Sequence, residues 1–155
     1  MTLSEDASLE LMRQLRVAGQ LQHAWAIQYW PATASGLHPA AVGLLSDLAT
    51  HGEARPSELA KRRLVDISVI SRQIAQLAES GLIERRPAPE DGRASLVRAS
   101  AKGQDLLKCW RESYLDFIRT ALQGWTDEDV TALSERLEAM NDAVRAAVRP
   151  ADSMS

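Results

Sequence analysis

Two short helix-forming segments, joined by only three residues and followed at once by a β-like pair, constrain this chain more than any other feature. Residues 57–63 (SELAKRR) are opened by Pro56, with Leu59 and Ala60 on the inward side. After Leu64 and Val65, Asp66 is placed to cap a second helix, ISVISRQIAQLAES, which Gly81 closes. Residues 82–86 and 94–98 then read as strands around Pro87-Ala88-Pro89-Glu90-Asp91-Gly92. Prolines disfavour pairing at the tip and Asp-Gly favours a reversal, so this segment reads as a two-stranded β-ribbon.

On the second helix Ile70, Ile74 and Leu77 fall on one side at helical spacing. Ser68, Arg72 and Ala75 fall on the other, flanked by Ser71 and Gln76. A face meant only for solvation would more often carry Glu–Lys pairs. Small polar groups around one arginine suit close approach to another surface.

The flanks are helical. From about Ser8 to Trp30, Leu9, Leu11, Met12, Leu15, Leu21, Trp25 and Ile27 form a wide apolar stripe that Pro31 and the run after it break. Pro39 opens a helix bearing Val42, Leu44, Leu45 and Leu48 that stops near His51-Gly52. Ser100 is placed to cap a long helix with Leu106, Leu107, Trp110, Tyr114, Phe117, Ile118 and Leu122. Thr126 and Asp129 have capping-box spacing ahead of Val130, Leu133, Leu137, Met140, Val144 and Val148, and disorder is expected after Pro150. The fold class expected is mainly α with a small β-ribbon: a winged helix-turn-helix lobe plus a helical dimerisation lobe. The divisions are 1–36 (N-terminal dimerisation helix), 37–99 (winged lobe) and 100–155 (C-terminal dimerisation helices).

The chemistry follows from that order. A helix fits the major groove of duplex DNA, where base edges present distinguishable donors and acceptors. Ser68, Ser71, Arg72 and Gln76 can hydrogen-bond there, with Arg72 suited to a bidentate guanine contact. Arg55, Lys61, Arg62 and Arg63 are candidates for phosphate contacts that fix register. Arg93 at the ribbon tip suits a narrow minor groove, oriented by Asp91. Arg85 and Arg86 point to opposite faces of one strand, so at most one contacts DNA; Arg86 is taken as the candidate. Ile67 and Val69 are placed to touch a thymine methyl or to support the turn. The net charge of −3 hides a split: residues 55–98 hold nine basic against six acidic side chains, and the remainder nine against fifteen. Where positive charge sits matters more for phosphate than the total.

The stretches PSELAKRR, ISVISRQIAQLAESGLIERR and DGRASLVRASAKG resemble the MarR (multiple antibiotic resistance regulator) family, and the order of flanking helices extends the likeness over nearly the whole chain. The family's acid-x-Arg wing signature is met by Asp91-Gly92-Arg93, and its Thr-x-x-Gly helix start by Ser100-Ala101-Lys102-Gly103. The chain departs from the pattern at Leu64, where glycine is common, and at Arg63, where an apolar residue is. The resemblance implies a homodimer made by interleaved N- and C-terminal helices, bound to a pseudo-palindromic operator on double-stranded DNA. It also implies a transcription regulator, often a repressor released by a small aromatic effector bound between lobes.

Trp25, Tyr29, Trp30 and Trp110 are the candidates for such an effector pocket, set against an ordinary role in core or interface. His23 and His38 lack companions for a metal site, and no cofactor is expected. Cys109, alone in the chain, excludes an intrachain disulfide; beside Leu106, Leu107 and Trp110 it reads as an inert small apolar group. No Gly-rich phosphate loop or nucleophile–base motif suggests an enzyme. No apolar run is long enough to span a membrane, and the acidic MTLSEDASLE lacks a secretory layout, so a cytoplasmic location is expected. The alternative reading is a winged-helix protein-interaction module without operator specificity.

Overall fold

A computed structural model describes residues 1–29 and 36–148. The order is α1 (Glu5–Gln28), α2 (Pro39–His51), α3 (Pro56–Arg63), α4 (Ile67–Glu79), β1 (Ile83–Pro87), β2 (Ser95–Ala99), α5 (Ala101–Ala121) and α6 (Asp127–Ala147). Helix α1 starts three residues ahead of expectation. Ser4 caps it, accepting from the Ala7 amide at 3.2 Å, and Glu5 and Asp6 face the positive end of the helix dipole. Both strands begin one residue later than expected, from Ile83↔Ala99 to Pro87↔Ser95 in antiparallel register. Pro87 is tolerated because it ends a strand on the sheet edge. A further bridge pairs Ala54 with Val97, making Ala54 a one-residue third strand.

The core lies in the middle of the chain. Leu44, Leu45 and Leu48 of α2, Leu59 of α3, Ile70 and Leu77 of α4, and Leu82 and Val97 around the ribbon are fully buried. By contrast, Leu9, Leu11, Met12, Leu15, Leu21 and Ile27 of α1 are exposed, as are Val130, Leu133, Leu137 and Val144 of α6. Helix α6 buries none of its residues. Apart from Trp25 and Ala26 near the end of α1, which are buried, the apolar sides of these two helices are largely uncovered among the described residues.

Two local devices hold the central lobe together. The turn between α3 and α4 passes through Leu64 at φ 56° and ψ 40°, a left-handed conformation costly for a residue with a Cβ. The chain accepts it because Leu64 and Val65 return amide hydrogen bonds to Lys61 and Ala60, closing α3. At the other end, the Ser100 hydroxyl donates to the Gly81 carbonyl (2.6 Å) and accepts from the Gly103 amide (3.0 Å), capping α5 while tying it to the end of α4. A Cβ on Gly103 would lie 2.1 Å from the Leu82 carbonyl oxygen, so only glycine lets α5 approach that backbone. The Ser-x-x-Gly spacing is thereby explained: a hydroxyl, then no side chain at all.

Gly103→Ala is expected to cost about 1–3 kcal/mol in urea unfolding, since backbone must move to admit the methyl group. Leu64→Gly is expected to raise stability by up to about 1 kcal/mol, because the strain removed outweighs the contacts of a half-exposed side chain. A fall in stability for Leu64→Gly would mean that the leucine side chain packs more tightly than its exposure implies.

Candidate nucleic-acid interface

Helix α4 is fixed by burial of Ile70, Ile74 and Leu77, which commits the opposite face outward. Ser68, Ser71, Arg72, Ala75 and Gln76 are all exposed there. Asp66 caps the helix, its Oδ1 accepting from the Ser68 amide at 2.8 Å. The hydrogen bonds from the Ser68 backbone and hydroxyl hold the Asp66 carboxyl below the usual aspartate range. Among the described residues Arg72 has no ion-pair partner, so its guanidinium is available to a ligand.

The cations around α4 divide into free and engaged. Lys61 is exposed and unpaired among the described residues. Arg62 is engaged: its Nη2 lies 2.5 Å from Asp47 Oδ1 of α2, a carboxylate only 11% exposed. Arg63 lies across α2, where a Cβ on Gly43 would meet its guanidinium at 2.8 Å. Two of the three bases in the Lys-Arg-Arg run therefore lie against α2. Arg55 reaches Glu90 of the wing at 3.3 Å, while its amide donates to Glu58 in the first turn of α3.

In the wing, Asp91 Oδ1 accepts from the backbone amide of Arg93 at 3.0 Å, and the Asp91 carbonyl accepts from Ala94. Asp91 thus shapes the turn through the main chain, and the exposed Arg93 side chain has no ion-pair partner among the described residues. Arg86 makes two hydrogen bonds to Glu53, at 2.6 and 2.5 Å. That contact holds the Glu53 carboxyl below its ordinary range and raises the Arg86 guanidinium. Arg98 pairs with Glu84 opposite it on the same face, at 2.9 Å. Arg85 lies on the other face, in register with buried Val97 and two residues from buried Ile83, and is unpaired among the described residues. Between the two strand arginines, then, Arg86 is internally occupied and Arg85 is free.

The aromatic candidates converge. Trp25 of α1 is buried against Tyr29, Trp110, Tyr114 and Phe117, with ring centroids 5.7, 5.5, 4.7 and 5.5 Å away. Trp30 lies outside the described residues. The indole N–H groups of Trp25 and Trp110 are buried with no hydrogen-bond partner among the described residues. Beside Trp110 and Tyr114, an open cleft of about 520 Å³ is lined also by Ser46, Thr50, Gln104, Lys108 and Arg111. Cys109 is exposed, and no group of three metal-ligating side chains occurs among the described residues.

Sequence reasoning missed Asp47 and Glu53, the acids that occupy Arg62 and Arg86. Both lie more than ten positions away in the chain, where no periodicity connects them to their partners. Tyr114 and Phe117 were read only as part of an apolar helix face; their meeting with Trp25 depends on how α1 packs on α5.

Because the folded-state value of Asp66 is depressed, its capping contribution is present above the ordinary aspartate range and is lost as pH falls through the folded value. Asp66→Ala should therefore lower the unfolding midpoint at pH 7, with the difference from wild type shrinking once pH drops below about 4. A difference that persists undiminished at pH 2.5 would show that the charge of Asp66 is irrelevant to the cap.

Comparison with known proteins places this geometry. The MarR family profile matches residues 37–95. The HTH-type transcriptional regulator YxaD of Bacillus subtilis is 38% identical over 100 residues, covering 64% of this chain and 70% of that protein. An HTH-type transcriptional regulator of Mycobacterium leprae is 34% identical over 149 residues, covering 96% and 87% respectively. Among solved structures, a cysteine-to-serine mutant of MarR from E. coli complexed with operator DNA superposes with a TM-score of 0.71. It is 21% identical and covers 90% of this chain and 99% of its own.

Proposed function

Because this chain belongs to the MarR family of HTH-type transcriptional regulators, we propose that it binds duplex DNA as a homodimer, with α4 in the major groove and the wing tip beside it. The observation that carries this reading is the outward face of α4. A helix anchored by Ile70, Ile74 and Leu77 presents Ser68, Ser71, Arg72 and Gln76 to solvent, between exposed Lys61 and exposed Arg93. Arg72 and Gln76 have the donors and acceptors to read base edges, Lys61 sits on phosphate, and Arg93 enters the minor groove. Arg85 joins the phosphate set in preference to Arg86. Arg62 serves the fold, and Arg55 contacts DNA only after leaving Glu90.

The homodimer accounts for the uncovered apolar sides of α1 and α6, and the proposed division puts residues 1–36 and 100–155 in the dimerisation lobe. Two-fold symmetry then requires a pseudo-palindromic site with half-sites about one helical turn apart. In regulation, the chain acts as a repressor: another relative, IacR of Pseudomonas putida, carries the name transcriptional repressor. The cleft beside Trp110 and Tyr114, with Lys108 and Arg111 on its wall, suits a small aromatic anion as the releasing ligand.

Fluorescence anisotropy on a duplex selected from a random library tests the reading. Arg72→Ala is expected to cost about 1–3 kcal/mol and to relax base choice at one position per half-site. Lys61→Ala should weaken all sequences alike and reduce the salt slope by about 1. Arg93→Ala should weaken A·T-flanked sites most. If selection enriches no duplex and binding to random DNA is insensitive to salt, the exposed α4 face serves a protein partner and the DNA reading fails.

A further inference from the structure

Helix α3 is fastened from two directions through a single residue. The Arg62 side chain reaches back to Asp47 of α2 at 2.5 Å, and its Nε is buried with no further partner among the described residues. Its main-chain carbonyl accepts from Arg145 Nη1 of α6 at 3.4 Å, across 83 positions of chain. That carbonyl is one of the last in α3, where no helical amide remains to satisfy it and the negative end of the helix dipole favours a cation. The neighbouring Ala60 and Lys61 carbonyls are already taken by Leu64 and Val65. Arg145 stands in the last turn of α6, a helix that buries none of its own residues, and makes the one hydrogen bond recorded among the described residues between α6 and the central lobe.

We infer that Arg145 and Asp47 are positioning residues: by holding Arg62 from both sides they set the angle of the α3–α4 unit against the dimerisation helices, and so the spacing of half-sites that a dimer accepts. The inference rests on the DNA-binding reading above. A two-fold dimer reads a spacing only if each recognition helix is held at a fixed angle to the dimer axis. Of the two ties, Arg145 belongs to α6, whose apolar side is uncovered in the single chain, and Asp47 to α2, which carries the leucines of the core. Neither group needs to touch DNA.

The test uses the full chain as Arg145→Ala, Arg145→Lys and Asp47→Asn, with circular dichroism and sedimentation confirming fold and dimer. The duplexes are the selected site and versions with one or two base pairs inserted at its centre. Wild type is expected to prefer the selected spacing strongly. Arg145→Ala should lose about tenfold on that duplex and far less on the altered ones, so that the preference collapses, with Lys restoring part of it. Asp47→Asn should act in the same direction. Equal loss on every duplex, or an unchanged preference, would overturn the inference. Hydrogen exchange in the free protein gives an arm independent of DNA. Amides of residues 62–67 should exchange about tenfold faster in Arg145→Ala, and unchanged exchange would remove the tie whatever the DNA result. Should wild type bind no duplex, the DNA reading falls, and exchange alone judges the tie.

Discussion

Burial of Ile70, Ile74 and Leu77 against the leucines of α2 is the contact on which the rest of this structure depends. Once those side chains are committed inward, helical geometry sends Ser68, Ser71, Arg72 and Gln76 outward. Everything near α4 serves to hold that orientation. Asp66 fixes its start, Gly81 and Ser100 fix its end, and the left-handed Leu64 sets the reversal from α3. The absence of a side chain at Gly103 lets α5 begin against the same backbone, so α5 takes its direction from the end of α4.

Electrostatics around this scaffold is a matter of allocation rather than total charge. The middle of the chain is rich in arginine, yet Arg55, Arg62, Arg86 and Arg98 are each met by a carboxylate from elsewhere in the fold. The more exposed pairs, Arg55–Glu90 and Arg98–Glu84, contribute little to stability, and all four remove cations from the surface available to phosphate. Arg63 lies against α2, and the cations without a carboxylate partner among the described residues, Lys61, Arg72, Arg85 and Arg93, are a smaller set placed around α4 and the wing. A count of basic residues alone overstates the phosphate footprint of this protein.

The order of elements was legible because each carries a local signature. Ile70-x-x-x-Ile74-x-x-Leu77 gives a helix face, Asp66 and Ser100 give caps, Thr126 with Asp129 gives a capping box, and Asp91-Gly92 gives a reversal. Boundaries were less so: α1 begins at Glu5 because Ser4 caps it, and a single serine among acids is a weak signal. Side-chain partners were illegible, since Asp47 and Glu53 meet their arginines only once the fold brings the Arg62 side chain to α2 and pairs the ribbon with Ala54 before α3. The wing acid was read as a partner for Arg93 and does meet that residue, though through its main chain. The sequence offers Trp25, Tyr29, Trp30 and Trp110 as effector-pocket candidates or as core; Trp30 lies outside the described residues, and the others meet in one cluster that Tyr114 and Phe117 complete.

In the proposed function, two outward α4 faces related by a dimer axis read one duplex. Hydroxyl-radical footprinting of the full chain on its selected duplex tests this most directly. A dimer of this kind gives two protected patches per strand, centred about one helical turn apart on one face of the DNA, with added protection where the wing tips reach the minor groove. A single short patch, or uniform protection with no face preference, would contradict it.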